Sequence, residues 1–468
     1  SPYAALAHIR TASSGDPVVA WDAHGRVFMG SESSGDPSGS AKTFGDVWVA
    51  RFDNPAGVGG NTLNDGKRYL GTETIAKGSS APNLLGVFQD KTAIEADRTG
   101  GRCDGTAYFA WARFTAGKVS NIYLSRSIDH GASWSNPMNL TPQDRNLQDP
   151  SISVTGNGNV YVTYDLGAAN NGQPDGVAVV KSTDCGQTFG KSNLVTTYIP
   201  YNAQDLTDAG GSARDCGDFA NHCQSGYTFF RRTTSTRSTA DQYDAQHEWL
   251  YLVYDATKPG TEVASGTTYG SVSAGVGSQS GAYFLRYDGA TGASTAPTLI
   301  DNQPVGHQVF PSISADGGIL HVLWWDSRLD PAYSPQRPIG NDAAGKTYAS
   351  LDTFGAQSTD HGATWINKTR LTAVSSNPNY EQFSSRTSPF GGDYLWVTSL
   401  GNFAFGAWTD WRNTVQGIDQ SETTEDSDGA TADVKQCRVL DPSTGTFSGD
   451  QCVHEGGLDQ DIFGSLTP

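Results

Sequence analysis

The sequence lacks the long hydrophobic runs that cross membranes. No apolar segment approaches the roughly 18 residues of a spanning helix, so we expect no membrane span. Methionine is nearly absent, with 2 residues in 468, and no long segment shows a 3.6-residue apolar period. These absences exclude a mainly helical fold.

Positive charge is also scarce. The chain has 31 Lys and Arg against 49 Asp and Glu, which gives a formal net charge of −18. So acidic a surface repels phosphate backbones, and this excludes nucleic acid as a partner. Phosphate-loop and dinucleotide fingerprints and a Gly-x-Ser-x-Gly elbow are missing as well.

The six cysteines include no Cys-x-x-Cys metal spacing. Disulfides in an oxidising compartment are therefore the better interpretation, and we expect a secreted protein. No signal peptide is visible, which we interpret as a processed, mature start. Cys437 and Cys452 flank a predicted hairpin, and Cys216 and Cys223 bracket a short loop. Cys103 and Cys185 are left for each other.

Glycine and aromatic residues are plentiful. The chain has 55 Gly, 10% aromatic residues and only 17% charged residues. Many short strands joined by Gly-, Asn- and Ser-rich turns produce this composition. The predicted fold class is therefore all-β.

Three segments repeat the pattern S-x-D-x-G-x-x-[WF]. They are residues 127–134, 182–189 and 358–365, and each follows a strand-like run. In a hairpin tip of this kind the Asp accepts hydrogen bonds from turn N–H groups, the Gly adopts positive φ and the aromatic residue covers the turn.

The pattern resembles the Asp-box (BNR) repeat of sialidase-like β-propellers. The resemblance implies that each box joins the third and fourth strands of a blade, on the propeller face opposite the active site. Asp129, Asp184 and Asp360 are then structural residues.

Strand-like segments around the boxes predict one propeller over residues 1–468, with six four-stranded blades and seven as the alternative. The predicted second strands are residues 26–31, 107–113, 159–165, 249–255, 319–326 and 402–410, and a third strand is expected to follow each of them, the last near residues 433–439. The approximate blades are 16–75, 90–145, 149–200, 205–302, 309–372 and 385–460.

Gln and Asp recur before the predicted first strands. The resemblance places these positions at the mouth of the central channel, where they form either a polar ring or bonds that close the channel. The positions are Gln89-Asp90-Lys91, Gln148-Asp149, Gln204-Asp205, His307-Gln308, Gln382 and Gln460-Asp461. His307 is a candidate base.

Two second-strand exits look like copies of one motif, at residues 324–330 and 408–412. Strand alternation places each Asp beside its Arg, so that the pair is either a local ion pair or a substrate carboxylate site. Asp326 and Asp410 are catalytic candidates, and the substrate-binding candidates in these motifs are Arg328, Arg412, Trp325 and Trp411.

The pair Tyr380-Glu381, followed by Arg386, lies at the entry to the sixth blade. Sialidases use a Tyr nucleophile activated by Glu and three Arg on the substrate carboxylate, which makes Tyr380 and Glu381 catalytic candidates and Arg386 a binding candidate. The chain departs from that family because the Arg-Ile-Pro signature is absent and its Tyr and Glu are adjacent. A true sialidase is not expected.

Metal ligands are not evident from spacing. No His pair has zinc-type spacing, and the acidic stretch 419–433 fits a solvated loop better than a calcium loop. We expect no cofactor, with structural Ca²⁺ as the alternative.

Two functions remain open. The first is a secreted glycan-active enzyme, a glycoside hydrolase or polysaccharide lyase, that recognises an acidic sugar at the channel mouth. The second is a non-catalytic extracellular propeller that binds glycan or protein or forms part of an assembly, since fold does not imply function. In either case a monomer is expected.

Overall fold

The computed structural model describes the strands of six antiparallel sheets and many of the turns between them. The described residues are 13–34, 43–53, 68–82, 84–115, 119–167, 174–201, 235–262, 278–335, 339–340, 342–344, 346, 348–378, 391–412, 438–441, 446–450 and 461–467. They contain no α-helix, and hence none long and apolar enough to cross a bilayer. The predicted all-β class is confirmed.

Each sheet is a blade whose strands are hydrogen-bonded in chain order. Blades 1 to 3 consist of β1 Ser13–Trp21, β2 Arg26–Ser34, β3 Asp46–Asp53 and β4 Arg68–Ala76; β5 Phe88–Ala96, β6 Ala107–Thr115, β7 Val119–Ser127 and β8 Met138–Asn139; and β9 Leu147–Val154, β10 Val160–Leu166, β11 Gly176–Ser182 and β12 Asn193–Thr197.

The second half of the chain repeats this order. Blades 4 to 6 consist of β13 Arg237–Thr239, β14 Trp249–Thr257, β15 Ser280–Asp288, β16 Ala293–Ser294 and β17 Thr298–Leu299; β18 Gln308–Asp316, β19 Ile319–Asp326, β20 Asp352–Ser358 and β21 Ile366–Arg370; and β22 Trp396–Leu400, β23 Phe403–Asp410 and β26 Asp461–Thr467. A separate hairpin pairs β24 (Arg438–Asp441) with β25 (Thr446–Asp450).

The first strands of the blades lie side by side. Their order is β1, β5, β9, β13, β18 and β22, which is also their order along the chain. The molecule is therefore a six-bladed β-propeller whose first strands surround a central axis, as the repeats predict.

The apolar core lies between blades. Along β10, Val160, Val162 and Tyr164 pack towards blade 2, whereas Tyr161 joins the cluster shared with blade 4. Because both sides of this strand are covered, every residue of it is buried. Similar clusters join each of the five successive blade pairs from 1 to 6.

The prediction for the third strand of blade 6 is wrong. Residues 433–439 were expected there, but β23 pairs with β26 over its full length, from Ala404 opposite Thr467 to Asp410 opposite Asp461. The alternating exposure along β26 fits a strand with one covered side. The described part of this sheet has three strands.

The three repeat turns are built alike and follow the third strands β7, β11 and β20. In the last one, Asp360 Oδ1 accepts a hydrogen bond from the Thr364 amide at 2.9 Å and Oδ2 accepts one from its hydroxyl at 2.6 Å. Ser358 Oγ donates to Asp360 and accepts from the Gly362 amide at 2.9 Å. These hydrogen bonds lower the pKa of Asp360 to about 2.

The same bonds form around the other two box aspartates, Asp129 and Asp184. The pKa of Asp129 is also below its ordinary value, since the hydrogen bonds from Ser133 outweigh burial. All three Asp side chains therefore hold a hairpin turn in place.

The residue after each box Asp reaches the preceding blade. His130 binds Asp22 at 2.8 Å, Cys185 forms a disulfide with Cys103, and His361 contacts the Tyr251 hydroxyl at 3.0 Å. All three box residues have positive φ, between 55° and 59°. The box turns thus tie successive blades together.

One predicted disulfide can be compared with the structure. Cys103 and Cys185 are bonded, with their Cα atoms 5.4 Å apart, and the bond joins blades 2 and 3. The other four cysteines lie outside the described residues.

Candidate active site at the propeller axis

A one-residue bulge recurs in four of the six first strands. In β1, for example, Gly15 pairs with Glu32 but Val18 pairs with Gly30, so one extra residue is inserted. The bulge residues have φ between 49° and 56°, and they are Asp16, Lys91, Asp149 and Phe310. Non-glycine residues rarely adopt positive φ, and bulges re-aim side chains near functional sites.

The local sequence explains why these strands bulge. Pro follows the bulge residue in three of the four strands, at positions 17, 150 and 311. Proline has no N–H to offer a neighbouring strand, so it is tolerated in a sheet mainly at edges and bulges. In β5 Thr92 takes this place, and its hydroxyl donates to the Asp16 carbonyl of the preceding blade.

Side chains from distant blades meet at these bulges. Lys91 of blade 2 forms a buried ion pair with Asp393, which precedes the first strand of blade 6. Arg237 of blade 4 lies over the rings of Tyr394 and Trp396 of blade 6, at 4.7 and 5.0 Å. Blades 2 and 4 are not neighbours of blade 6, so these contacts cross the central axis.

We call this group the axial cluster. Its members are Asp16, Asp90, Lys91, Asp149, Arg237, Asp393 and Tyr394. They lie where the first strands begin, whereas the box turns follow the third strands, which run parallel to the first. The axial cluster and the box turns therefore occupy opposite ends of the propeller.

Burial and mutual repulsion raise the carboxyl pKa values in the axial cluster. The pKa of Asp16 is raised to about 7 by burial and by the charges of Asp90 and Asp393, although Lys91 acts in the opposite direction. Asp16 and Asp90 are hydrogen-bonded to each other, and both accept from the Lys91 amide, at 2.7 and 3.0 Å. Burial also raises the pKa of Asp149.

The basic and phenolic groups keep their protons. Burial alone would lower the pKa of Lys91, but Asp393, Asp149 and Asp16 together raise it above its ordinary value. Burial and the same carboxylates raise the pKa of Tyr394 well above 10. At neutral pH the axial cluster thus holds an ammonium, a neutral phenol and a carboxyl group near its midpoint.

Some residues of the axial cluster are not fully buried. Asp16 and Tyr394 are only partly buried, and the indole of Trp396 beside them is 38% exposed. Within the described part of the chain, the Tyr394 hydroxyl and Arg237 Nη2 have no hydrogen-bond partner. A buried guanidinium nitrogen and a phenol without partners can both bind an oxygen-rich ligand.

One carboxylate group has the spacing of cation ligands. Oxygens of Asp16, Glu32 and Asp90 lie within 4.8 Å of one another. Among the described residues, no other group of three His, Cys, Asp or Glu side chains has its ligand atoms this close together. Hard cations such as Ca²⁺ prefer oxygen ligands of this kind. Lys91 contributes the opposing charge next to this group.

The predicted polar ring is formed by some of its members. Asp90, Lys91 and Asp149 belong to the axial cluster. By contrast, Gln89 accepts from the Trp111 indole at 2.6 Å, and Gln308 donates to Asp326 at 3.0 Å, so these two glutamines bond neighbouring strands. Residues 204, 205, 382 and 460 lie outside the described residues.

The two Asp-Arg motifs form local ion pairs. Asp326 is fully buried and accepts from Trp324 at 2.8 Å and from the Arg328 guanidinium, which also binds Asp301 at 2.7 Å. Asp410 and Arg412 share two side-chain bonds, at 2.9 and 2.6 Å. The structure does not bring either pair into the axial cluster, so their catalytic and binding roles stay predictions.

Trp325 and Trp411 are core residues, and their role in substrate binding stays a prediction. They are 1% and 2% exposed and pack on each other across blades 5 and 6, with ring centroids 5.6 Å apart. Trp325 lies on β19 with its indole in the core shared with blade 6, and Trp411 directly follows the last residue of β23.

His307 lies outside the axial cluster, and its catalytic role stays a prediction. It is fully buried between Tyr201 and Tyr333, with ring centroids 5.0 and 5.3 Å away. Burial lowers the pKa of His307 to about 3, so the imidazole stays neutral at working pH. A base with so low a pKa binds a proton poorly.

The remaining predicted residues are Tyr380, Glu381 and Arg386, and they lie outside the described residues. Sequence reasoning missed Asp16, Arg237, Asp393 and Tyr394. For Asp16 a signal exists, because Asp16-Pro17 repeats the Asp149-Pro150 pair at the start of a first strand. For the other three we find none.

Comparisons with known proteins give no family. No protein-family profile matches the sequence, and no curated protein matches it. Similar solved structures include a Hadza microbial sialidase (12% identity, TM-score 0.42, 85% of this chain and 63% of that chain) and a Trypanosoma rangeli sialidase (10%, 0.44, 85% and 52%). Another is an ulvan lyase from a new family of polysaccharide lyases (14%, 0.39, 84% and 81%). This chain spans less than two thirds of either sialidase.

Proposed function

We propose that this protein is a glycan-active enzyme that hydrolyses a glycosidic bond of an acidic sugar at the axial cluster. One observation carries the proposal: Asp16, with a pKa of about 7, stands partly open among further carboxylates at the end of the propeller opposite the box turns. A carboxyl group that holds its proton near neutral pH, beside others that ionise, is the arrangement that glycosidic cleavage requires.

In this mechanism Asp16 is the general acid. It donates its proton to the glycosidic oxygen while the bond from that oxygen to the anomeric carbon breaks. Water adds to the anomeric carbon, and an ionised carboxylate of the axial cluster accepts the proton that the water loses. Proton transfer by a positioned side chain contributes about 10²- to 10⁴-fold to the rate.

Substrate recognition is assigned to Arg237 and Trp396. Arg237 is 4% exposed and has Nη2 without a partner among the described residues, so it can bind a sugar carboxylate. Trp396, over whose ring Arg237 lies at 5.0 Å, is 38% exposed and can stack on the sugar ring. Lys91 adds a second fixed positive charge.

Hydrolysis fits the axial cluster better than β-elimination. A lyase needs a base strong enough to remove a proton from carbon, and a tyrosinate is the phenolic group that would do so. Burial, together with the carboxylates around Tyr394, raises its pKa well above 10, so little phenolate forms at neutral pH.

Purified protein incubated with sialosides and with acidic plant, algal and bacterial polysaccharides tests the proposal. New reducing ends without ultraviolet absorbance indicate a hydrolase, and both signals together indicate a lyase. Arg237→Met should lower kcat/KM on the active substrate at least tenfold. Arg286→Met is the matched control, because this Arg also lies over a tryptophan, at 3.9 Å, but outside the axial cluster.

If no substrate of the panel is cleaved, the enzyme proposal is overturned and the binding or structural propeller remains. If the Arg237→Met and Arg286→Met variants are equally active, the assignment of the substrate site to the axial cluster is wrong. We also propose that the protein works outside the cell as a monomer, since the Cys103–Cys185 disulfide suits an oxidising compartment.

A further inference from the structure

Two histidines meet at the junction of blades 1 and 2, at the end of the propeller that carries the box turns. His24 lies in the turn after β1, and His130 lies in the box turn after β7. Their ring centroids are 4.8 Å apart and the rings are nearly perpendicular, at 74°. Their side chains are 53% and 39% exposed, so an ion from solution can reach both.

Each imidazole is held by a carboxylate through one of its nitrogens. His130 Nδ1 lies 2.8 Å from Asp22, and His24 Nε2 lies 2.8 Å from Asp104. A carboxylate accepts hydrogen bonds only, so these nitrogens carry the protons. The lone pairs are therefore on Nε2 of His130 and Nδ1 of His24.

The carboxylates are themselves fixed. Asp22 is buried and its other oxygen accepts from the amides of His24 and Arg26, at 2.8 and 2.9 Å. Asp104 accepts from the Gly100 amide at 3.2 Å. Histidines that bind metals almost always donate their second nitrogen to a carboxylate or carbonyl in this way.

The spacing of the rings also fits a shared metal ion. With a Zn–N bond of about 2.05 Å, a bound imidazole has its centroid about 3.2 Å from the metal. Two such rings at ligand angles of about 90° to 109° have centroids about 4.5 to 5.2 Å apart. The observed centroid distance of 4.8 Å between His24 and His130 lies in this range. The ring centroids of the other box histidine, His361, and of His247 are 6.2 Å apart, which lies outside it.

We propose that His24 Nδ1 and His130 Nε2 bind one zinc ion, or a divalent ion of similar chemistry, and that this ion cross-links blades 1 and 2. Within the described residues no third protein ligand completes a cluster here, so water fills the remaining positions. The box position of His130 is that of Cys185 in the next blade, where the cross-link is a disulfide. The ion and the disulfide thus serve the same purpose at successive junctions.

Zinc titration of the full chain by calorimetry tests this site. The expected result is one zinc ion per chain, with at least tenfold weaker binding in His24→Asn and in His130→Asn. Asparagine is chosen because it tolerates the positive φ of residue 130, which is 55°. The matched controls are His247→Asn and His361→Asn, which should bind zinc as tightly as the parent protein does.

A further variant leaves both ligands in place. Asp104→Asn removes the carboxylate that orients His24, and binding should weaken about 10- to 100-fold. The unfolding temperature of the parent protein should rise with free zinc, and that of His130→Asn should not. Three results would each overturn the proposal. Zinc addition could give no heat, both histidine variants could keep the affinity of the parent protein, or anomalous scattering could place zinc at the axial carboxylates.

Discussion

Replacing Asp16 with Asn should make the protein more stable at alkaline pH while removing its activity. The folded-state pKa of Asp16 is about 7, against 3.8 for an ordinary Asp. A group whose pKa is raised by folding contributes stability that is fully present below the unfolded pKa. That contribution is lost as the pH rises through the folded pKa. The relevant window therefore runs from about pH 4 to pH 8.

The magnitude follows from the shift. A difference of about 3 pKa units corresponds to about 4 kcal/mol, because each unit is worth 1.36 kcal/mol. Water reaches part of Asp16, and screening lowers the expected value to about 2 kcal/mol. Asparagine keeps the oxygen that accepts from the Lys91 amide and tolerates the φ of 49° at this position, so the bulge is preserved.

Denaturant unfolding of the parent protein and of Asp16→Asn at several pH values measures this difference. The variant should gain nothing at pH 4 and about 2 kcal/mol at pH 8, relative to the parent protein. Asp360→Asn is the control, because its pKa of about 2 keeps it ionised throughout the window and its effect should not vary with pH. A pH-independent gain for Asp16→Asn would refute the raised pKa and with it the role of general acid.

Three further changes test the fold and the axis. Replacing Cys103 and Cys185 with Ser should lower the free energy of unfolding by about 4.5 kcal/mol, since the bond closes a loop with a separation of 82 residues, and unfolding with and without reductant measures it. Gly362→Ala should lower the unfolding temperature, because φ is 85° and the new Cβ would lie 2.0 Å from the Phe284 ring; an unchanged temperature would contradict the described turn. Lys91→Met should cost about 3 to 5 kcal/mol by removing the buried ammonium from among carboxylates, and denaturant unfolding would show it.

The fold was predictable because its signals are local in sequence. The Asp-box hydrogen bonds join residues two and four positions apart, as Ser127 and Asp129 do, so the pattern can be read directly from the letters. The exception is the third strand of blade 6. This strand is formed by the last described residues, Asp461–Thr467, which pair with β23 although they are far from it in sequence. No sequence pattern near β23 therefore indicates the pairing.

The candidate site was predictable only in part, and the reason is physical. Strand alternation correctly placed Asp326 beside Arg328, but alternation cannot say whether an ion pair faces a ligand or the core. Asp90, Lys91 and Asp149 were found because they repeat before first strands. Arg237 and Tyr394 meet only after all six blades have closed into a ring, and no pattern within one blade marks them.

The bulges explain how a propeller built from regular strands acquires a cluster of charged side chains at its axis. In a regular strand, alternation directs side chains towards the neighbouring blades, as it does for Trp325. An inserted residue with positive φ breaks that alternation and re-aims one side chain. The same insertion places the carboxylate of Asp16, the ammonium of Lys91 and the carboxylate of Asp149 in the axial cluster, whereas the bulge residue of β18, Phe310, packs in the core against Trp325. Because the insertion sets the direction of the side chain and the residue type sets its chemistry, substitutions at Asp16, Lys91 and Asp149 should change the charge of the axial cluster without rebuilding the blades.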